Sequence, residues 1–240
     1  MTLAKPTAEM LEWHESELGV FFHFDMEVFA PEWKFGDPIP DIQCWNPKKL
    51  DTDQWLRTAK AAGARYALLT AKHGTGFCLW PTKVHDYHVG VPRDVVGEFV
   101  QSCHKYGIKP GLYYSLGGRY LSDLCTREDG TLNREKLNDL LLRQLEELIT
   151  GYGPLFEIWF DGGILRPAQA DRPQPDLLWR LPRHPQRAAV ERKRTGRGRA
   201  GVLVLRPLSD GAGAGQCDPR LSRRPHGPCL GSRGGGHAGA

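Results

Sequence analysis

Four apolar runs separated by helical patterns constrain the fold of this chain more than any other feature of its sequence. The runs cover residues 18–24, 65–70, 109–114 and 155–160 and begin about 45 residues apart. Helical periodicity occupies residues 52–62, 94–106 and 132–150. Strands that are apolar through most of their length and alternate with helices indicate a parallel sheet buried on both faces. The sequence therefore predicts an α/β protein with about four βα units.

Four such units fit either an open doubly wound sheet or half of an eight-fold barrel, and spacing alone does not choose between them. The residues at the strand ends favour the barrel, because His23, His73, Ser115 and Asp161 each come at or just after a strand end. In a (β/α)₈ barrel these ends meet on one face, where the active site lies. No Gly-x-Gly-x-x-Gly or phosphate-loop motif follows a strand. We therefore predict a partial TIM-like (β/α)₈ barrel.

Composition changes sharply along the chain and predicts a boundary near Gly163. Residues 1–163 contain 17 Lys and Arg against 23 Asp and Glu, whereas residues 164–240 contain 15 against 5. Fourteen of those 15 basic residues are Arg, and Gly and Pro together fill 21 of the 77 positions. We expect residues 1–163 to form the N-terminal half of a barrel domain, and residues 164–240 to form an irregular Arg/Gly/Pro-rich tail without strand–helix alternation.

The tail permits two interpretations. A barrel of this spacing needs roughly 180 residues beyond its fourth strand, whereas residues 164–240 are 77 positions. An Arg/Gly/Pro-rich stretch is typical of a GC-rich coding sequence translated in the wrong frame. A frameshift shortly after Gly163 is therefore one hypothesis. The rival hypothesis is a basic tail that binds a nucleic acid, which we disfavour because Trp179 is the only aromatic residue in this segment and the arginines are not interleaved with aromatic residues.

Membrane and metal sites are not expected from the sequence. No run approaches 18 apolar residues, and four glutamates within the first 17 residues exclude an apolar signal core, so a cytoplasmic protein is predicted. The six cysteines form no Cys-x-x-Cys pair. His85, His88 and His104 have poor spacing for metal ligation and are interpreted as solvated loop histidines. We expect neither a metal nor an organic cofactor.

Four segments resemble glycoside hydrolase family 29, the α-L-fucosidases, over about residues 10–163. They are the first strand with His23, the Lys-His-x-x-Gly-Phe-x-Leu-Trp run of residues 72–80, the Gly-Leu-Tyr-Tyr-Ser run of residues 111–115, and Trp-Phe-Asp-Gly at residues 159–162. The resemblance implies a retaining glycosidase that releases terminal α-L-fucose from glycoconjugates. Two alternatives remain open: a non-catalytic fucose-binding remnant, and a different TIM-barrel hydrolase.

Asp161 is the candidate nucleophile that the resemblance implies. Retaining glycosidases use a carboxylate about 5 to 5.5 Å from an acid/base carboxyl group, so that the sugar is held as a covalent ester and then released by water. The competing interpretation from local sequence is an Asp that caps a helix at a βα turn. No motif supplies the acid/base residue, because Glu191 is the only Glu after Glu157 and lies within a basic run.

The resemblance places His23 and His73 where relatives bind the hydroxyl groups of fucose, although either histidine alone is also compatible with a hydrogen-bonded core residue. Many relatives carry a second histidine where this chain has Gly74. Trp80, together with Phe77, is a candidate for the apolar wall against the fucose methyl group, or else for loop packing.

Three further candidate sugar contacts come from the resemblance. Tyr113 and Tyr114 point to opposite faces of their strand, so only one can enter the site, and Tyr114 is preferred. Glu32 and Trp33 match an acidic-aromatic pair in the first βα loop of relatives, with a surface ion pair as the alternative interpretation.

Overall fold

The computed structural model describes residues 5–90, 92–161 and 203–205 and consists of one parallel sheet with helices. The strands are β1 (Gly19–Phe22), β2 (Tyr66–Lys72), β3 (Lys109–Ser115), β4 (Glu157–Asp161) and β5 (Leu203–Leu205). The helices are α1 (Ala8–Glu15), α2 (Thr52–Ala61), α3 (Val95–Tyr106), α4 (Arg119–Leu124) and α5 (Arg134–Gly151). The α/β class, the parallel sheet and the four predicted strands are thereby confirmed, and helices follow the first three of these strands.

The strand order in the sheet is β4-β3-β2-β1-β5, and every described pairing is parallel. Consecutive strands β1 to β4 therefore lie side by side, as helix-linked parallel strands do. The tail, for which no strand–helix alternation was predicted, contributes the short strand β5, which pairs with β1 through residues 203–205. This pairing covers the edge of β1. The rest of the predicted tail, with its frameshift and nucleic-acid hypotheses, lies outside the described residues.

Helix starts follow capping chemistry that the sequence shows. Asp51, Asp94 and Asn133 cap α2, α3 and α5, and each side chain accepts a hydrogen bond from the backbone of the first helical turn. The helical patterns predicted from residues 52 and 94 therefore begin at or next to a capping aspartate. Gly107 ends α3 in the left-handed conformation, as a glycine stop should. Gly151, in contrast, is the last residue of α5, and the glycine with a positive φ after this helix is Gly153.

Helices α1 and α4 were not predicted. Helix α1 buries none of its residues, so it lacks the apolar stripe from which a helix is recognised in sequence. It is attached instead through Trp13, whose indole Nε1 donates a 2.8 Å hydrogen bond to Glu157 Oε2 on β4. Within the described residues, no helix has the length and apolar character needed to cross a bilayer.

The sheet divides the packing into two unequal parts. The face covered by helices forms the main core, which includes Leu56 of α2, Phe99 of α3 and Leu145 of α5. The opposite face has a small cluster of Phe21, Tyr66, Leu68 and Tyr113. All seven residues of β2 are buried, as a central parallel strand requires. The hydrophobic cluster on the helix-covered face is therefore much larger than the cluster on the opposite face.

Candidate functional site

Side chains from the carboxyl ends of four neighbouring strands form the candidate site. His23 follows β1 directly, His73 follows β2 directly, Tyr113 lies near the end of β3, and Asp161 is the last residue of β4. Parallel strands in one sheet bring these ends to the same edge. The structure therefore brings together three of the predicted site residues, His23, His73 and Asp161.

The Asp161 carboxylate is held by a tyrosine from the adjacent strand. The Tyr113 hydroxyl donates a 2.6 Å hydrogen bond to Asp161 Oδ2. Burial, and then the bond to Asp161, hold the pKa of Tyr113 well above its ordinary value, so this hydroxyl stays protonated as a donor. A hydrogen bond to an ionised carboxylate stabilises the charged form that a nucleophile needs. The Asp161 side chain itself is exposed at the strand end.

The two histidines face each other beside a pair of carboxylates. Their ring centroids are 4.4 Å apart with an interplanar angle of 82°. Asp25 Oδ2 lies 3.3 Å from His23 Nδ1 and 3.1 Å from His73 Nδ1, and Glu27 Oε1 lies 2.8 Å from His73 Nδ1. Burial alone lowers the pKa of His73, but the carboxylates of Asp25 and Glu27 outweigh burial and raise the pKa to about 10. His73 is therefore a cation at neutral pH.

Asp25 and Glu27 were missed by sequence reasoning. Asp25 caps the short 3₁₀ turn Met26–Val28, and its Oδ1 accepts a 2.9 Å hydrogen bond from the Glu27 backbone N–H. This cap fixes a carboxylate that is only 2% exposed against both histidines. The available signal was an Asp-x-Glu sequence two residues after the strand-end histidine. Carboxylates in that position can orient the imidazole rings.

The preference for Tyr114 over Tyr113 is wrong. Tyr114 is fully buried on the helix-covered face, where its hydroxyl donates a 2.7 Å hydrogen bond to Gln144 Oε1 of α5. The Lys72 ammonium lies 4.2 Å from the Tyr114 ring centroid. Strand alternation therefore turns Tyr113 to Asp161 and Tyr114 to the core.

The apolar wall predicted from Trp80 and Phe77 is also not found. Trp80 is 2% exposed and donates from Nε1 to Glu147 Oε2 at 2.9 Å, and Phe77 is completely buried. Both side chains belong to the core. The exposed apolar group beside the site is Trp159, which is 40% exposed and whose ring lies 6.1 Å from that of Tyr113.

Glu32 and Trp33 lie on the first βα loop. The Trp33 indole donates to the Pro38 carbonyl at 3.0 Å, and its ring borders position 74, where a Cβ atom would lie 3.7 Å from Trp33 and 3.1 Å from Glu27 Oε1. Trp33 therefore lies beside the loop that carries His73. Glu32 is exposed, and its role as a sugar contact stays a prediction.

His85 is not the solvated loop residue that its position suggested. It is 8% exposed, and its Nε2 lies 2.8 Å from Gln144 Nε2 in the same buried group that contains Lys72 and Tyr114. Burial, with smaller contributions from the charges of Lys72 and His88, lowers the pKa of His85 to about 4. A neutral, buried His85 is part of the core behind the site.

Comparisons with known proteins identify the family of this chain. The α-L-fucosidase family model matches residues 3–202. α-L-Fucosidase 1 of Arabidopsis thaliana is 36% identical over 167 residues, which cover 67% of this chain and 31% of the relative. Tissue α-L-fucosidase of Mus musculus is 31% identical over 158 residues, covering 62% and 33%. The chain thus spans about a third of the length of the curated relatives it matches.

Solved structures give the same result. A glycoside hydrolase family 29 member from an unknown rumen bacterium has a TM-score of 0.58 and 34% identity, covering 67% of this chain and 28% of that one. A family 29 α-L-fucosidase of Bacteroides thetaiotaomicron, solved as a trapped covalent intermediate, has a TM-score of 0.58 and 29% identity, covering 66% and 42%. With a family model that covers most of its length, this chain belongs to the α-L-fucosidase family, glycoside hydrolase family 29.

Proposed function

We propose that this chain supplies the nucleophile half of a retaining α-L-fucosidase that releases terminal α-L-fucose from fucosylated glycans by double displacement. The observation that carries the proposal is the placement of Asp161. It ends a parallel strand, is held by the Tyr113 hydroxyl at 2.6 Å, and shares its edge of the sheet with His23 and His73. A carboxylate held in this way can attack the anomeric carbon and form a glycosyl ester.

The histidines suit the recognition of sugar hydroxyl groups. His73 is positively charged at neutral pH, and His23 lies against it with 32% of its side chain exposed. N–H groups at the rim of such a site donate to hydroxyl oxygens, and an unmatched polar group there costs about 1 to 3 kcal/mol. Trp159, on the same face of β4 as Asp161, replaces Trp80 as the candidate apolar contact for the fucose methyl group.

In the intact enzyme we propose that β1 to β4 form the first half of a (β/α)₈ barrel. Four consecutive parallel strands in sequential order, with the candidate site at their carboxyl ends, support this arrangement. The acid/base carboxyl group would come from a part of the enzyme outside the described residues, because the double displacement needs a second carboxyl group.

The test is hydrolysis of nitrophenyl glycosides by the purified full chain. A nitrophenolate leaves without protonation by a general acid, so the assay depends mainly on the nucleophile. We expect cleavage of the α-L-fucoside, with little cleavage of the α-D-galactoside and α-L-rhamnoside. Preferential cleavage of either other glycoside would indicate a different barrel hydrolase. Binding of fucose without any cleavage would indicate a non-catalytic fucose-binding remnant.

A further inference from the structure

His23, Asp25 and His73 present their ligand atoms to one point in space. One nitrogen from each imidazole and one carboxylate oxygen all lie within 4.8 Å of one another. The two shortest separations, from Asp25 Oδ2 to the Nδ1 atoms of His73 and His23, are 3.1 and 3.3 Å. Bonds of about 2.0 to 2.2 Å at a tetrahedral zinc place neighbouring ligand atoms roughly 3.3 to 3.6 Å apart.

The Asp25 carboxylate gives separate support for a bound cation. Its side chain is 2% exposed, and its Oδ1 is used by the Glu27 backbone N–H. Its Oδ2 has no hydrogen bond of good geometry from any described residue, although it points between the two imidazole rings. The protonated His73 imidazole lies against this oxygen at 3.1 Å. A divalent cation bound between the rings would displace the His73 proton and take over the charge pairing with Asp25, because a metal-bound imidazole nitrogen carries no proton.

Charge and access are also suitable for a cation. Glu27 adds a second carboxylate, with Oε1 2.8 Å from His73 Nδ1. The side chains of His23 and His73 are 32% and 24% exposed, so solvent reaches the imidazoles from one side. Their partial exposure leaves them room to turn towards a shared ion.

We propose that His23, Asp25 and His73 bind a divalent transition-metal cation of the zinc type, with Glu27 or a water molecule as the fourth ligand. Two imidazoles and one carboxylate are a donor set that zinc prefers, and three protein ligands leave one coordination position open. The prediction from sequence spacing considered His85, His88 and His104 and found no metal site. It could not detect this one, because its ligands come from two different strand ends.

This metal site is independent of the proposed glycosidase function, but it shares two side chains with the proposed sugar site. An imidazole that coordinates zinc through one nitrogen has fewer positions for a sugar hydroxyl group. Zinc and sugar therefore compete for His23 and His73, and the metal acts as an inhibitor of the proposed hydrolysis rather than as its cofactor.

The experiment is a calorimetric titration of the purified full chain, stripped with a chelator, with zinc chloride at neutral pH. Asp25→Asn is the principal variant, because the asparagine Oδ1 still accepts from the Glu27 N–H and preserves the turn. We expect Asp25→Asn, His23→Gln and His73→Gln each to weaken zinc binding by about tenfold or more. His104→Gln, at an exposed position on α3, should bind zinc like the unmodified chain and controls for binding to other histidines.

Cobalt provides a second readout, because tetrahedral Co²⁺ absorbs visible light much more strongly than the hydrated ion. A visible band in the unmodified chain and in His104→Gln, and its loss in the three site variants, would support the proposal. Unchanged zinc affinity in all three site variants would overturn it. Circular dichroism shows whether each variant is folded, and His23→Gln serves if Asp25→Asn does not fold. Neither titration requires a sugar, so a negative result leaves the fucosidase proposal untouched.

Discussion

Tyr113 and Tyr114 are neighbours on one strand, yet they lie in two very different environments. On the site face, Tyr113 holds the exposed Asp161 carboxylate and packs against Phe21 at a centroid distance of 5.4 Å. On the helix-covered face, Tyr114 is fully buried and donates to Gln144. Two adjacent residues of one strand therefore contribute to different parts of the molecule, Tyr113 to the candidate site and Tyr114 to a buried polar group in the core.

The polar group behind the site lies within the core. Lys72 Nζ is 3.4 Å from Gln144 Oε1, and Gln144 Nε2 donates to Cys78 Sγ at 3.2 Å. Burial lowers the pKa of the Lys72 ammonium to about 7. Because Lys72 immediately precedes His73, this group anchors the strand end that carries a site histidine. Substitutions in this buried polar group should reduce the free energy of unfolding, whereas substitutions on the site face should reduce hydrolysis.

The largest expected effect is on the site face. Asp161→Asn removes the proposed nucleophile while it keeps an oxygen that can accept from Tyr113. We expect hydrolysis of nitrophenyl α-L-fucoside to fall on the order of 10⁴-fold, with an unchanged melting temperature. Glu146→Gln, at an exposed position of α5, is the matched control and should keep full activity. Comparable activity of Asp161→Asn and the control would remove Asp161 from the mechanism.

On the opposite face, Gln144→Leu should have the largest effect on stability. The change leaves the Tyr114 hydroxyl and the Lys72 amine without their bonds to Gln144, in a region with no access to water. We expect the free energy of unfolding to fall by about 3 to 5 kcal/mol. Denaturant unfolding measures this, and Glu146→Gln should change it by less than about 0.5 kcal/mol. A similar small change for both variants would show that the polar group contributes nothing.

Acid should destabilise the same face through His85. Its pKa is about 4 in the folded chain against an ordinary value of 6.5, so the unfolded chain binds more protons between these two pH values. Stability contributed by neutral His85 is therefore present above pH 6.5 and is lost as the pH falls towards 4, by up to about 3 kcal/mol. The groups around it are Cys78, Gln144 and Tyr120, with the charges of Lys72 and His88 close by.

The measurement is the free energy of unfolding across that pH range for the unmodified chain and for His85→Gln. The variant should lose part of the acid dependence, whereas His104→Gln should keep all of it, because His104 is exposed on α3. Parallel pH profiles for all three proteins would contradict a buried neutral His85.

The smallest expected effects separate the two tyrosines directly. Tyr113→Phe removes the hydrogen bond to Asp161 and should lower hydrolysis by roughly tenfold, which corresponds to about 1.4 kcal/mol, with little change in melting temperature. Tyr114→Phe should reduce stability by about 1 to 2 kcal/mol and leave activity per folded molecule unchanged. A loss of activity in Tyr114→Phe and a loss of stability alone in Tyr113→Phe would show that Tyr114, as predicted from the sequence, is the site residue.

Sequence patterns predicted much of this fold because apolar runs and helix caps are local. Asp51 and Asp94 each cap a helix through a backbone N–H three residues further on. The four strands were predicted from their continuous apolar character. Helix α1 was missed because it buries nothing and is held by contacts distant in sequence, which include the Trp13 bond to Glu157, 144 residues away, and the ion pair of Glu12 with Lys109. Strand β5 was missed because its three residues lie in a segment dominated by Arg, Gly and Pro.

The site was predictable where a motif fixes one residue at the end of one strand. Asp161, His23 and His73 are of this kind. Which of two adjacent tyrosines faces the site depends on the phase of strand alternation, which sequence leaves open. Whether Trp80 is buried depends on its bond to Glu147, 67 residues further on. The carboxylates of Asp25 and Glu27, which follow β1, contact His73, which follows β2, only because these two strands lie side by side.

The most direct test of the central claim is covalent labelling of Asp161 by 2-fluoro-fucosyl fluoride, the reagent used to trap the intermediate of the Bacteroides thetaiotaomicron relative. The fluoride leaves without a general acid, and the fluorine at the second carbon slows release of the sugar. Mass spectrometry of the digested full chain should find one fluorofucosyl group on the peptide that contains Asp161, and none on Asp161→Asn. An unlabelled chain, or a label on another residue, would contradict the account.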